Sequence, residues 1–297
     1  MGMKTMRKYN STIVVVIFLL STALITSAHP AILGSTSLST QGNIDYNNGH
    51  IPPGLTLLYS TDFEKVTVTD SHHISIPLTH YFNYGPPSSP FWMDDGTYMA
   101  NSPTPHSGTS CLGLARVNIE RSEFILWNWQ WDFSNTWYFR EWLYFPPGWS
   151  IPNGGWEVIF GFGDAKYPPG YPWISLTIEP TGTAGVFTMY AGGSGFNNNY
   201  NGPYGTPVTA TLPRGQWSKW EFYIDRGTAN VANGQLKVWI NDALILDSGP
   251  ILPAKSSANS GATLEFYPSD LYGGVGGASP GNEQRWIDDL EIYALKV

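Results

Sequence analysis

The sequence predicts an all-β fold, an antiparallel β-sandwich or jelly roll. Short runs of β-branched and aromatic residues recur along its 297 residues, and clusters of Gly, Pro and Asn separate them. No segment shows the period of an amphipathic helix. The composition agrees, because 32 Gly and 23 Pro supply turn residues while 13 Trp and 17 Tyr favour strands. A single all-β domain accounts for most of the chain.

Residues 1–28 have the layout of a secretory signal peptide. Three basic residues come first, an apolar run follows at 13–26, and the small residues Ser27 and Ala28 stand at the expected cleavage point. The run is short and interrupted for a membrane span, which takes roughly 20 apolar residues. We therefore expect a secreted, extracellular protein with no membrane insertion after leader removal. A retained N-terminal membrane anchor is the alternative.

The rest of the chain divides into two predicted parts. Residues 29–54 are rich in Ser, Thr, Asn and Gly and poor in apolar residues, which predicts a flexible linker. Residues 55–297 carry the strand pattern and predict the jelly-roll domain. Within this domain the loop 192–205 is long and rich in Gly and Asn, a kind of loop that often carries function on an all-β scaffold.

The charge balance excludes one class of partner. The chain has 15 Lys and Arg against 23 Asp and Glu, and without the three basic residues of the leader its formal charge is −11. Such a surface repels nucleic acid at long range, so we expect no nucleic-acid partner. Cys111 is the only cysteine, which rules out an internal disulfide, and its small, apolar neighbours predict a buried thiol.

Three predicted strands place aromatic and polar residues together on one face, because alternate residues of a strand point to the same side. These faces carry Tyr138, Arg140, Trp142 and Tyr144 in the first strand, Trp173, Ser175, Thr177 and Glu179 in the second, and Lys237, Trp239 and Asn241 in the third. Sugar rings stack on aromatic faces, and polar side chains bond their hydroxyl groups. The residues that we expect to bind carbohydrate are Trp142, Trp173, Lys237, Trp239 and Asn241.

The stretch LWNWQWD (126–132) alternates differently. One face of the predicted strand carries Trp127, Trp129 and Trp131, while the other carries only polar residues after Leu126. A face of Asn, Gln and Asp cannot be dry. We therefore predict that this tryptophan ladder faces the core.

The most specific part of the sequence lies between Gln216 and Ser248. It predicts two strands joined by a turn, then a tight Asn-Asp turn and a third strand. This stretch resembles a hairpin of the concanavalin A-like, or laminin-G-like, jelly-roll superfamily. The matching residues are Trp217, Gly234, Val238, Trp239 and Asn241, and Asp242 stands where the family usually has Gly. TDFE (61–64), HSGTSCLGL (106–114) and WIDDLEIY (286–293) resemble other strands of this superfamily.

The resemblance implies a jelly roll over nearly all of residues 57–297. It leaves the activity open, because the superfamily holds lectins, glycoside hydrolases, polysaccharide lyases and inert spacer modules. Two stretches are most similar to polysaccharide-lyase-like members. ARVNIERSEF (115–124) resembles a strand of jelly-roll alginate lyases but lacks their second Arg, and YFREWLYFPPGWSIPNGG (138–155) resembles a strand and loop of other lyases.

A polysaccharide lyase needs a Tyr or His to move a proton at C5 of a uronate, and cationic or amide groups to neutralise the uronate carboxylate. Arg140, with Tyr138 or Tyr144, is the candidate set on one predicted strand face. The histidines that could serve as the base are His72, His73, His80 and His106.

Glycoside hydrolysis needs two carboxylates, about 5–5.5 Å apart for retention or about 6.5–9.5 Å apart for inversion. The E-x-D-x-x-E strand of laminarinase-like and agarase-like members is absent. Glu157 lies in a strand that faintly resembles the nucleophile strand of a cellulase family with this fold. Glu157 and Glu179 are therefore the candidates for hydrolysis.

Acidic residues near both ends of the predicted domain indicate a metal site. Many jelly rolls pair their first and last strands and bridge them with a Ca²⁺ held by oxygen ligands. Asp62 and Glu64, together with Asp288 and Asp289, fit that arrangement, although solvated strand edges would explain the same acids. We expect at most a structural Ca²⁺ and no organic cofactor.

The sequence thus predicts an extracellular protein that binds or cleaves carbohydrate, with a polysaccharide or a cell-surface glycan as its partner. Among cleaving mechanisms, β-elimination on a uronate polymer ranks slightly above glycoside hydrolysis. A non-catalytic, lectin-like or structural surface module is the alternative from another class.

Overall fold

Two antiparallel β-sheets form the body of the computed structural model. The structure describes residues 49–64, 67–70, 73–75, 80–81, 91–93, 97–116, 121–129, 134–151, 155–164, 173–194, 204–228, 231, 233–250, 264–273 and 283–295. This part of the chain contains eighteen strands and no helix. They are β1 (Leu55–Thr61), β2 (Thr67–Asp70), β3 (His73–Ser75), β4 (His80–Tyr81), β5 (Phe91–Met93), β6 (Thr97–Ala100), β7 (Cys111–Arg116), β8 (Arg121–Trp129), β9 (Thr136–Tyr144), β10 (Glu157–Asp164), β11 (Trp173–Pro180), β12 (Val186–Ser194), β13 (Tyr204–Thr211), β14 (Trp217–Asp225), β15 (Gln235–Ile240), β16 (Ala243–Asp247), β17 (Leu264–Gly273) and β18 (Glu283–Leu295).

The strands divide equally between the two sheets. The first sheet has the order β16-β15-β14-β9-β18-β1-β4, and β7 joins it by pairing with β18 and with β6. The second sheet has the order β13-β12-β11-β10-β17-β8-β5-β3-β2. Neighbours in both sheets are antiparallel, and several, such as β9 and β18, are far apart in the sequence. The predicted fold class, an all-β antiparallel sandwich or jelly roll, is confirmed.

Aromatic side chains hold the two sheets together. Phe160 of β10 stacks on Phe222 of β14 with ring centroids 4.1 Å apart and an interplanar angle of 10°. Phe139 of β9 lies edge-on to Phe160 at 5.3 Å, and Trp137 packs at 5.6 Å from Phe162. Pairs of this kind contribute roughly 0.5–1.5 kcal/mol each beyond the area that they bury. The inward residues of β9 and β14 are thus fixed, and their alternate neighbours must point outward.

Three charged residues also lie between the sheets. Arg285 of β18 forms an ion pair with Glu157 of β10 at 3.2 Å and donates to the carbonyl of Val158 at 3.2 Å. Glu141 of β9 is fully buried, and neither of its carboxylate oxygens accepts a hydrogen bond from the described residues. Burial raises the pKa of Glu141 well above its usual value, although the charge of Arg285 opposes the shift. Burial therefore favours the neutral form of Glu141.

The turn between β15 and β16 explains why Asp242 differs from the superfamily pattern that the sequence resembles. Asn241 and Asp242 have φ values of 48° and 68°, as a two-residue type I′ hairpin turn requires. Asn and Asp tolerate this left-handed region better than other side chains with a Cβ, so Asp242 takes the place usually held by Gly. The Asn241 Oδ1 accepts a hydrogen bond from the Lys219 backbone at 2.9 Å and ties the turn to β14.

Some predictions concern residues outside the described part of the chain. The leader 1–28, the linker up to residue 48 and Trp131 all lie outside it. Strand β8 carries Trp127 and Trp129 in the second sheet, but their side chains are outside the description as well. Cys111 is buried as predicted, and burial raises the pKa of its thiol to about 12. None of the described segments forms a helix long and apolar enough to span a membrane.

Candidate functional site

The candidate site lies on the outer face of the first sheet, the side away from the second sheet. On β9 the residues of this face are Tyr138, Arg140, Trp142 and Tyr144, and their neighbours Phe139 and Leu143 are fully buried toward the core. The predicted alternation of this strand is therefore present in the structure.

One row of side chains crosses five strands of this face. Arg140 of β9 lies opposite Glu221 of β14 and opposite Glu291 of β18. Beyond them, Trp239 of β15 lies opposite Glu221, and Ser60 of β1 lies opposite Glu291. Neighbouring strands are about 4.8 Å apart, so the row is long enough to follow an extended ligand across the sheet.

A cavity of ≈ 370 Å³ opens over the β9, β18 and β1 part of this row. Its walls are polar and charged around one tryptophan. The lining residues are Ser60, Thr61, Asp62, Arg140, Trp142, Lys219, Asp289, Leu290 and Glu291. The volume is that of a small-ligand site. A lining of one aromatic side chain and many hydrogen-bonding groups suits a sugar residue.

Arg140 is held in this cavity by two groups on β18. Its Nε donates to the Glu291 Oε2 at 2.7 Å, and its Nη2 contacts the same carboxylate and donates to the Tyr293 hydroxyl at 3.2 Å. The Tyr293 hydroxyl in turn donates to Glu291 at 2.8 Å. The Arg140 side chain keeps 22% of its surface exposed, so an anion in the cavity could still reach the guanidinium.

Glu221 is the buried anchor on the other side of Arg140. It is fully buried, and its carboxylate accepts hydrogen bonds from the Tyr138 hydroxyl and from His50 Nδ1, the latter at 3.0 Å. The ammonium of Lys219 lies 3.6 Å from Glu221 and 2.5 Å from the Asp242 carboxylate. Burial first, and then the Glu221 charge and hydrogen bond, raise the pKa of Tyr138. A Tyr138 that is buried and donates its proton to Glu221 is poorly suited to act as a base.

His50 covers one end of the row. Its imidazole stacks on the Trp239 indole with ring centroids 4.6 Å apart and an interplanar angle of 11°, and only 8% of Trp239 stays exposed. Gly49 lies above Arg140, Glu221 and Tyr138, where a Cβ would come 2.5 Å from the Glu221 carboxylate. Residues 49–54, which the sequence predicts as linker, therefore belong to the body that the sheets form.

A second histidine, His106, contacts two residues of the cavity lining. His106 Nδ1 donates to the Asp289 carboxylate at 2.5 Å, and the ring stacks on Trp142 with centroids 3.6 Å apart. The Ser107 hydroxyl donates to the same Asp289 at 2.7 Å. His106 keeps 29% of its side chain exposed, and its Nε2 forms no hydrogen bond with the residues that the structure describes. Asp289 thus fixes the tautomer that leaves Nε2 as a proton acceptor.

The other predicted catalytic residues lie away from this cavity. Tyr144 packs between the Trp217 and Trp286 rings, each with its centroid 5.6 Å away. Glu157 lies between the sheets in its ion pair with Arg285. Glu179 is on β11 of the second sheet, where it accepts a hydrogen bond from Tyr190 at 2.9 Å. The structure does not bring Glu157 and Glu179 together with Arg140.

The predicted carbohydrate-binding residues are also dispersed. Trp142 lines the cavity, but His106 covers one of its faces. Lys237 and Asn241 are on the first sheet outside the cavity, where Lys237 lies 3.4 Å from Asp247 and Asn241 forms the turn. Trp173 opens β11 of the second sheet, and its side chain is outside the described part of the chain.

The four acids predicted to hold Ca²⁺ lie in different surroundings. The Glu64 carboxylate accepts hydrogen bonds from the Thr109 hydroxyl and from the backbone of Thr109 and Ser110, which lower its pKa. Asp288 is buried, and burial raises its pKa to about 7, so it is largely protonated in mildly acidic solution. Asp62 accepts a hydrogen bond from the Glu64 backbone and lines the cavity with Asp289. A structural Ca²⁺ stays a prediction.

A different group has the spacing of metal ligands. Within the described residues, His50, Glu221 and Asp242 are the one set of His, Cys, Asp or Glu whose three ligating atoms lie within 4.8 Å of one another. The Lys219 ammonium already contacts both carboxylates of this group. A lysine therefore supplies the positive charge that a metal ion would bring.

Sequence reasoning missed several residues of the site. Lys219 and Glu221 alternate with the buried Trp220 and Phe222 in SKWEFYID, and this alternation is visible in the sequence. Glu291 and Tyr293 alternate in the same way with the buried Leu290 and Ile292 along β18. His50 has no such signal, because it lies in a polar stretch before the first strand.

Sequence comparison identifies no family. No family model matches the chain, and no curated protein does. Solved structures that are similar to it include an endo-β-1,4-glucuronan lyase from Trichoderma reesei, with 13% identity, a TM-score of 0.48, and coverage of 80% of this chain and 96% of that chain. A PL-14 alginate lyase from Aplysia kurodai has 12% identity and a TM-score of 0.47, with coverage of 69% of this chain and 89% of that chain. Domain 4 of the arabinanase AbnA from Geobacillus stearothermophilus has 19% identity and a TM-score of 0.42, with coverage of 82% of this chain and 95% of that chain. The similarity is one of fold.

Proposed function

We propose that this protein binds a polysaccharide in the cavity on the first sheet and cleaves it by β-elimination at a uronate residue. The observation that carries the proposal is the composition of the cavity. Arg140 and Lys219 supply positive charge within it. His106 contacts Trp142 and Asp289 of its lining, and Asp289 holds the Nδ1 proton. A cation and a base around one sugar-sized space are the groups that this reaction needs.

The proposed reaction uses these groups in one elimination. Arg140 and Lys219 face the uronate carboxylate and stabilise the negative charge that develops on it as the C5 proton leaves. His106 Nε2 takes that proton, the C5–H electron pair forms the C4–C5 double bond, and the C4–O bond breaks. The departing oxygen takes up a proton from water and becomes the new end of the other fragment, and His106 later returns its proton to water. The resulting imidazolium is stabilised by the Asp289 carboxylate.

The geometry favours His106 over the tyrosines as the base. Tyr138 is buried and donates its hydroxyl proton to Glu221, and Tyr144 packs between two tryptophans outside the cavity. His106 is partly exposed and oriented by Asp289. The sequence predicted Arg140 as the carboxylate-binding group, and the proposal keeps that role.

The test follows two products on a panel of uronate-containing and neutral polysaccharides. Absorbance of unsaturated ends and the number of reducing ends should rise together on a uronate polymer. His106→Ala and Arg140→Ala should each lower the rate at least a hundredfold, since a positioned base and a charge-stabilising group each typically contribute that much. Arg214→Ala is the matched control, because Arg214 bonds the Trp149 carbonyl away from the cavity. Full activity of His106→Ala would refute the assigned base.

A second candidate function has one observation in its favour. Three carboxylates, those of Asp62, Asp289 and Glu291, line the same cavity, and glycoside hydrolysis needs a pair of them. Hydrolysis would produce reducing ends without unsaturated ends and would fail in Glu291→Gln. Saccharide binding with neither product would indicate a lectin-like module instead. Each of these three functions includes export by the N-terminal leader, because polysaccharides of this kind lie outside the cell.

A further inference from the structure

We propose that the row of site residues across the first sheet forms a groove for the polysaccharide and that the segment Gly49–His50 closes its β15 end, so that the site takes the end of a chain and not its interior. The inference rests on the proposed function and adds the mode of attack to it. A groove open at both ends admits a polymer anywhere along its length, whereas a groove with a wall admits only a terminus.

The wall stands where the row of site residues would otherwise continue. Trp239 lies on β15, two strand spacings or about 10 Å from Arg140 on β9, and its indole belongs to the outer face. His50 occupies the position of a stacked sugar ring on that indole, parallel to it within 11°. A saccharide in the cavity that grows toward β15 therefore meets His50 before it reaches Trp239.

Buried polar contacts hold the wall in place. His50 bonds Glu221 through Nδ1 at 3.0 Å and through its backbone N–H at 3.4 Å, and Glu221 is fully buried. His50 itself is only 9% exposed. Because Glu221 also accepts from Tyr138 and lies 3.6 Å from Lys219, displacing His50 would disturb a network at the base of the cavity. These buried contacts hold the segment in place as a wall.

Gly49 brings the backbone close enough to seal the groove. Its φ of +79° suits glycine, and a Cβ there would lie 2.5 Å from Glu221 and 3.2 Å from the Arg140 guanidinium. The chain thus passes directly over the β9–β14 part of the row, leaving no channel beneath it for a sugar. The opposite end of the row, at Ser60 and Glu291, lies within the cavity lining.

The test compares the loss of polymer viscosity with the number of new chain ends. A wild-type enzyme that attacks termini should lower the viscosity slowly while ends accumulate and should release one product size from the start. His50→Ala should lower the viscosity several-fold faster at the same number of ends. His50→Gln, which keeps an amide donor for Glu221, serves if His50→Ala folds poorly. A wild-type viscosity loss as steep as that of the His50 variant would overturn the inference and leave the proposed function intact.

A binding measurement makes the result independent of turnover. Calorimetric titration with uronate oligosaccharides of increasing length would measure the affinity for each length. The affinity of the wild type should stop rising once the cavity is filled. The affinity of His50→Ala should rise at least fivefold further, because the additional sugar units reach Trp239. The double variant His50→Ala/Trp239→Leu should lose that gain. Identical length dependence in wild type and His50→Ala would overturn the inference alone. Binding of no saccharide by any of these proteins would overturn the proposed function and the inference with it.

Discussion

Arg140 and Glu291 face each other on neighbouring strands of the first sheet, and Arg140 Nε donates to the Glu291 carboxylate at 2.7 Å. The charge that would bind a uronate is therefore already paired before substrate arrives. A substrate carboxylate must compete with Glu291 for the guanidinium, so Glu291 sets part of the affinity of the site.

Glu291→Gln should strengthen the binding of anionic oligosaccharides. The neutral amide keeps the shape of the side chain but releases Arg140 from a charge pair worth up to about 1 kcal/mol at a partly exposed position, which corresponds to about fivefold in Kd. Calorimetric titration with a uronate oligosaccharide would measure it, and the gain should shrink at high salt. Asp247→Asn is the matched control, since Asp247 pairs with Lys237 outside the cavity. Equal gains in both variants would mean that only net charge matters.

Gly49→Ala should destabilise the protein more than Gly54→Ala does. Both glycines have positive φ, +79° and +88°, so both substitutions carry a backbone cost of about 1–2 kcal/mol. At Gly54 the nearest atom to a Cβ is Leu295 Cδ2 at 3.6 Å, whereas at Gly49 the Glu221 carboxylate is 2.5 Å away. We expect Gly49→Ala to lose about 1–2 kcal/mol more in urea unfolding, in the range of a steric clash with a buried network. Equal losses would mean that residue 49 is loosely held.

Which residues point to the outer face could be predicted where the alternation within a single strand decides it. Alternation in YFREWLYF placed Tyr138, Arg140 and Trp142 on one face because Phe139 and Leu143 must pack in the core. The pattern of a strand does not reveal what covers its outer face. Trp239 lies on the expected face, yet the His50 imidazole stacks on Trp239 and buries it. His50 is held there by Glu221, which is 171 residues away in the sequence.

Two other features depended on long-range contacts in the same way. Glu157 stands at the start of a run of apolar residues in EVIF, and nothing local shows that its partner is Arg285, 128 residues further along. His106 pairs with Asp289 across 183 residues, although HSGTSCLGL by itself indicates only a strand and its preceding turn. Residue type and period predicted the sheets, whereas pairing between distant strands determines which charged groups meet.

Glu141 and Glu157 should respond to substitution with opposite signs. Glu141 is buried with no hydrogen bond from the described residues, so Glu141→Met should stabilise the protein by about 1–3 kcal/mol, the cost of an unsatisfied buried polar group. Glu157→Gln removes the partner of buried Arg285 and should cost about 3–5 kcal/mol. Urea unfolding of the two variants would measure both changes. The reverse order would mean that Glu141 is the group that stabilises Arg285.

Asp288 should make the stability of the protein fall as the pH rises through mild acidity. Burial raises its pKa to about 7 in the folded state, above the ordinary value of 3.8 for an exposed aspartate. Below pH 3.8 the Asp288 carboxyl is protonated in both the folded and the unfolded protein. Between 3.8 and about 7 folding takes up a proton, because only the folded protein keeps this carboxyl protonated. Above about 7 the folded protein holds a buried carboxylate. The stability contribution is therefore complete at low pH and is lost as the pH rises to about 7, by an amount on the order of 4 kcal/mol.

Asp288→Asn should remove this dependence while retaining an oxygen that accepts from the Ser107 backbone. Unfolding free energies of wild type and variant, measured in urea at intervals from pH 4 to pH 8, should diverge in favour of the variant as the pH rises. Parallel curves would show that the Asp288 carboxyl has the same proton affinity in the folded and unfolded chain.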